Sequence, residues 1–111
     1  MSSAAIVAYR DFYDRPRAFV LNIPTGGLLF FDCRFDESLD DYPSSYRVFA
    51  LKGPLAELPV DWRHINFCEQ LFVAEMPCAE IRFDISRRHE ATIANLDALT
   101  AKAEYILAKT P

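Results

Sequence analysis

With 111 residues, 51% of them hydrophobic and 14% aromatic, the chain has the size of one domain and enough apolar surface to fold without disulfides, which excludes intrinsic disorder. A net charge of −4 speaks against nucleic acid, whose phosphates would repel the chain as a whole, and no stretch approaches the roughly 20 apolar residues of a bilayer span. The expectation is a single domain over 1–111 with no nucleic-acid or membrane partner.

Residues 6–13, IVAYRDFY, and 17–23, RAFVLNI, are rich in β-branched and aromatic side chains and read as strands. Asp14, Arg15 and Pro16 between them supply turn chemistry, so the two form a hairpin. Pro24, Thr25, Gly26 and Gly27 mark a second tight turn, because adjacent glycines accept the positive φ that such turns need. A third strand over 28–35 places Leu29, Phe31, Cys33 and Phe35 on one face, with Cys33 towards the core.

A fourth strand is expected at 46–51, YRVFAL, ended by Lys52, Gly53 and Pro54. LAEL at 55–58 suits one helical turn, and 61–70 reads as a helical turn running into a strand. Residues 71–76 and 80–85 are two more strands, with Pro77 marking an edge or bulge between them. From Glu90 to Lys109 the apolar spacing becomes helical, with Ile93, Leu96, Leu99, Ala103, Ile106 and Leu107 on one stripe.

Strands first and a long helix last is an α+β order. The predicted architecture is a strongly bent, mostly antiparallel sheet or small partial barrel of five or six strands, with a long C-terminal helix. Several strands carry apolar residues on both faces, as at Phe30 and Phe31, so the second face needs cover from the helix, a loop or a second copy in a homodimer.

The charge is unevenly spread. Residues 28–46 hold five acids, Asp32, Asp36, Glu37, Asp40 and Asp41, against the single base Arg34, so this segment alone carries the −4 of the whole chain. If 35–42 turns as a helix, Phe35, Leu39 and Tyr42 form an apolar anchor while Asp36, Glu37, Asp40 and Asp41 face outward. Asp36 with Asp40, and Glu37 with Asp41, are then like-charge pairs, each costing roughly 0.2–0.5 kcal/mol. The four carboxylates either solubilise the outer side of an anchored turn or meet a basic protein surface, with Tyr42 or Tyr46 giving aromatic contact; a metal fits less well, since the spacing is not that of a calcium loop.

Other constellations are weaker. Cys33, Cys68 and Cys78 are an odd set without close spacing, and the apolar run 4–8 is too short for a secretory segment, so a reducing, cytoplasmic setting is expected. His64 and Cys68 are four apart and would pair on a helix, but lack the partners of a zinc site or a nucleophile. The basic cluster Arg82, Arg87, Arg88 and His89 reads as a solvated turn. No serine elbow or phosphate loop is present, so no catalytic residue, cofactor or metal is assigned. The chain reads as a small non-catalytic protein acting by protein–protein contact through Asp36, Glu37, Asp40, Asp41 and Tyr42. The alternative is a small-ligand binder or small enzyme with a pocket lined by aromatics such as Tyr9, Phe12, Tyr13, Phe30, Phe35, Trp62 and Phe67, with His64, Cys68 or a carboxylate supplying chemistry.

Overall fold

Proline and glycine punctuation folds the first half of the chain back on itself, and each return is antiparallel. A computed structural model describes residues 2–12, 14–62, 65 and 67–110. The strands are β1 (Ser2–Ala5), β2 (Ala8–Arg10), β3 (Ala18–Asn22), β4 (Leu28–Asp32), β5 (Ser45–Leu51), β6 (Phe72–Pro77), β7 (Ile81–Phe83) and β8 (Glu90–Ile93), followed by the helix α1 (Leu96–Lys109). β2 to β6 form one open meander in chain order, while β8 lies between β1 and β7 in a second, smaller sheet. The α+β class, the bent antiparallel five-stranded sheet and the long C-terminal helix are as predicted; the sheet stays open rather than closing as a barrel.

The turn before β4 shows why glycine stands there. Gly26 and Gly27 have φ of +114° and +96°. The Ile23 amide donates to the Gly27 carbonyl at 2.9 Å, and the Gly26 amide donates to the Ile23 carbonyl at 2.9 Å. A Cβ at Gly27 would lie 2.6 Å from the Leu51 carbonyl oxygen, so both backbone angle and space demand glycine.

Alternation in β3, β4 and β5 builds two cores, one on each face of the sheet. Phe19, Leu21, Leu29, Phe31, Cys33, Tyr46, Val48 and Ala50 join the first, which Ile81, Ala91, Ile93, Leu99 and Ala103 cover from the small sheet and α1. Ala18, Val20, Phe30 and Phe49 join the second, which Trp62 closes with help from Leu55, Leu58, Phe67 and Leu71. The face that the sequence left open is thus covered by the chain's own irregular segment between β5 and β6.

Several boundaries differ from expectation. The predicted helix over 90–109 begins at Leu96, and its first turn is instead β8. There Ala91 and Ile93 alternate inward while the strand pairs with β1 on one side and β7 on the other, so two ladders outweigh local helix preference. The predicted strand 6–13 shortens to β2 in the large sheet, and the unpredicted strand β1 precedes it in the small sheet, with buried Ile6 between the two. Tyr13 lies outside the described residues. β4 stops at Asp32 rather than at Phe35. The 3-10 turn Cys78–Glu80 carries the chain from β6, at the edge of one sheet, to β7 in the other.

Candidate functional site

β4 ends where its side chains stop being apolar, and residues 33–44 leave the sheet as a flap before β5 begins. The flap is tied at its base. The Cys33 amide donates to the Arg17 carbonyl at 2.7 Å, the Cys33 Sγ donates to the Pro43 carbonyl at 3.3 Å, and the Cys78 amide donates to the Ser44 carbonyl at 2.9 Å. Further out, the Asp36 amide donates to the Asp41 carbonyl at 2.9 Å, closing a small bridge that holds Glu37 to Asp40 in a turn.

This turn corrects the expected helix over 35–42. Asp36 Oδ1 accepts from the Ser38 amide at 2.9 Å and the Ser38 hydroxyl at 2.6 Å, a side-chain turn that competes with helical hydrogen bonding. The same bonds, the hydroxyl foremost, hold the Asp36 carboxyl below the usual carboxylate range. Asp40 takes a positive φ of +51°. The apolar stripe therefore never forms: Phe35 is 48% and Leu39 60% exposed. Tyr42 is half-buried at the flap's root, with the Arg17 guanidinium 3.9 Å over its ring and Phe35 edge-on at 5.4 Å.

The four acids of the predicted site, Asp36, Glu37, Asp40 and Asp41, do come together at the tip, with Asp36 the least exposed. Tyr42 stands below them, and Tyr46 takes no part, being fully buried in the first core. What sequence reasoning missed is that Phe35 and Leu39 share the tip with the acids. Between the flap and the β5–β6 edge runs an open groove of about 510 Å³, lined among others by Asp32, Arg34, Phe35, Leu39, Arg47 and Glu75. Burial raises the Asp32 carboxyl above its usual value, opposed by the Arg34 guanidinium, whose Nε lies 2.9 Å from Oδ1. Arg47 holds both Glu69 oxygens, at 2.7 and 2.9 Å.

The remaining candidates disperse. Phe30 packs on Trp62 at 5.3 Å and on Phe67 at 4.6 Å, and Tyr9 packs on Phe12 at 5.2 Å, so these aromatics meet one another rather than line a space. His64 lies outside the described residues, and Cys68 is exposed. In the basic cluster, Arg87 approaches Glu90 at 3.8 Å, Arg88 lies 5.0 Å over Phe12, and His89 Nδ1 is 3.3 Å from the Ile6 carbonyl. Among the described residues no three His, Cys, Asp or Glu side chains converge as metal ligands. None of the helices among them is long and apolar enough to cross a membrane.

Beneath the flap, burial and then the neighbouring Cys78 thiol push the Cys33 thiol up from its ordinary 9.0 to about 11. The Tyr46 hydroxyl, which donates to the Pro16 carbonyl at 2.5 Å, is also held above its ordinary value, chiefly by burial. Both stay protonated in the folded chain at pH values where the unfolded chain would release the proton. Stability from Cys33 is therefore intact below pH 9.0 and is lost as pH rises towards 11. Urea unfolding under reducing conditions, repeated across that window, is expected to show the decline, and Cys33→Ala to remove its onset. A flat profile between those limits would contradict it.

Comparison of the chain with protein-family models, with curated proteins and with solved structures gives no match.

Proposed function

We propose that this is a non-catalytic protein that works by contact, receiving a basic segment of a partner protein on the flap tip. The observation that supports it is the placement of two large exposed apolar side chains, Phe35 and Leu39, among Asp36, Glu37, Asp40 and Asp41. Covering apolar surface contributes roughly 25 cal/mol per Å², which supplies affinity, while carboxylates around it orient a basic partner and speed its arrival. The groove beside the flap extends the contact: Asp32 and Arg34 pair with each other along it, while Asp36, Glu37 and Glu75 on its lining add negative charge that suits a basic segment.

The test uses a panel of lysine- and arginine-rich peptides, each carrying one leucine or aromatic residue, with binding read by fluorescence anisotropy. The native chain is expected to bind members of the panel, less tightly as salt rises. Two variants separate the components: Phe35→Ser with Leu39→Ser, and Asn at all four of Asp36, Glu37, Asp40 and Asp41. Exposed ion pairs contribute roughly 0.2–1 kcal/mol each, so removing four is expected to weaken binding by about fourfold or more. Folding is expected to change by no more than about 0.5 kcal/mol per substitution, because most of the altered side chains lie at the surface and Asn keeps an oxygen that can accept the Ser38 and Tyr42 hydrogen bonds. Binding that survives both variants, or no binding by any peptide, would refute the proposal.

A further inference from the structure

Cys33 and Cys78 are 45 positions apart in the sequence, yet the meander brings them together. β4 and β6 both run antiparallel to β5, so both leave the sheet at the end where β5 begins, as the pairings Asp32 with Arg47 and Ser45 with Pro77 show. Cys33 follows β4 by one residue and Cys78 follows β6 by one. The strand-entering residues Pro43 and Ser44 bind both: Pro43 accepts from the Cys33 Sγ at 3.3 Å, and Ser44 accepts from the Cys78 amide at 2.9 Å. Both cysteines belong to the first core, Cys33 at 1% exposure and Cys78 half-buried against it. Arg15 Nη1 donates to the Cys78 carbonyl at 3.1 Å, fixing the backbone there.

We infer that Cys33 and Cys78 form a dithiol site that a small-molecule disulfide such as oxidised glutathione converts into an intramolecular disulfide, a modification of the flap's base. Cys78, the more accessible of the two, attacks first: its thiolate bonds to one glutathione sulfur and the other glutathione leaves as a thiolate. Cys33 then gives up its proton and attacks the Cys78 sulfur, and the second glutathione leaves. Two protein thiols are oxidised and one disulfide is reduced to two glutathione molecules. Burial is no obstacle to Cys33, because its step is internal. Once formed, the bond ties the exit of β4 to the exit of β6 and fixes the root of the flap. This site stands apart from the binding proposed for the flap tip.

The full-length protein, reduced and then exposed to oxidised glutathione, is analysed by intact mass and by peptide mapping. Trypsin must be combined with a glutamyl endopeptidase, because Cys68 and Cys78 share the tryptic peptide 64–82. The expected product has lost two hydrogens, keeps no glutathione at Cys78 and yields a peptide joining Cys33 to Cys78. In Cys33→Ala the reaction is expected to stop with glutathione on Cys78, populated about tenfold more than in the native chain. A Cys33–Cys68 or Cys68–Cys78 link, a link between two chains, or glutathione held on Cys78 in the native chain would overturn the inference. Should Cys33→Ala fail to fold, the map of the native chain decides alone.

Discussion

Phe31→Ala is expected to lower the unfolding free energy by about 3–5 kcal/mol, the range for deleting a buried aromatic ring. Phe31 has no exposure, lies directly opposite Phe19 in the β3–β4 register and stacks on it at 4.5 Å with an 8° interplanar angle. Phe19 in turn meets Tyr46 and Phe83 edge-on, each at 5.4 Å. The Phe31 ring is therefore linked through Phe19 to Phe83 on β7 of the small sheet. Domains of this size hold about 5–15 kcal/mol in total, so the loss is a large share, and the melting temperature is expected to fall by roughly 10–25 °C. Urea and thermal unfolding followed by circular dichroism measure it. Tyr105→Ala, at a side chain 60% exposed on α1, serves as the contrast and is expected to change stability by less than about 0.5 kcal/mol. Equal effects from the two would show that the first core is not centred on these rings.

Trp62→Ala is expected to cost about 3–5 kcal/mol as well, for a different reason. Among its described residues the segment between β5 and β6 has no strand ladder of its own, only short 3-10 turns such as Leu55–Glu57 and Glu69–Leu71. What holds it on the sheet is side-chain burial. Trp62 is buried, stands edge-on to Phe30 at 5.3 Å and carries the Arg10 guanidinium 4.5 Å from its ring. Removing it opens the second core at Phe30 and Phe49. Besides the lower urea midpoint, the variant is expected to bind a hydrophobic dye that the native chain does not. Midpoint loss without dye binding would mean that the segment stays seated through Leu55, Leu58, Phe67 and Leu71 alone.

The alternation that makes both cores was legible wherever a strand was long enough to show it. Leu29, Phe31 and Cys33 could be placed on one face of their strand from spacing alone, and the Gly26–Gly27 turn from its residue types. The helix was legible in its body, where Leu99, Ala103, Ile106 and Leu107 form the stripe, but not at its start. Ile93 stands three residues before Leu96, a helical step, and two after Ala91, a strand step, so it satisfies both periodicities over so short a stretch, and the strands that claim β8 lie at the start of the chain and just beyond β6. At the candidate site the sequence showed the charge, and it showed that Asp36, Glu37, Asp40 and Asp41 would travel together. It assumed that Phe35 and Leu39 would be buried because a helix offered them a common face. The Asp36–Ser38 hydrogen bonds chose a turn instead, and the face disappeared.

Local chemistry therefore set the turns, the strand faces, the helix body and the place of the negative charge, because each depends on residues within a few positions of one another. Only the tertiary structure decided that β8 is a strand, that Leu55, Leu58, Trp62, Phe67 and Leu71 cover the second face, and that Cys33 meets Cys78. These three outcomes turn on backbone partners and buried contacts supplied from distant parts of the chain, and the energy of such contacts exceeds the small local preferences that a sequence displays.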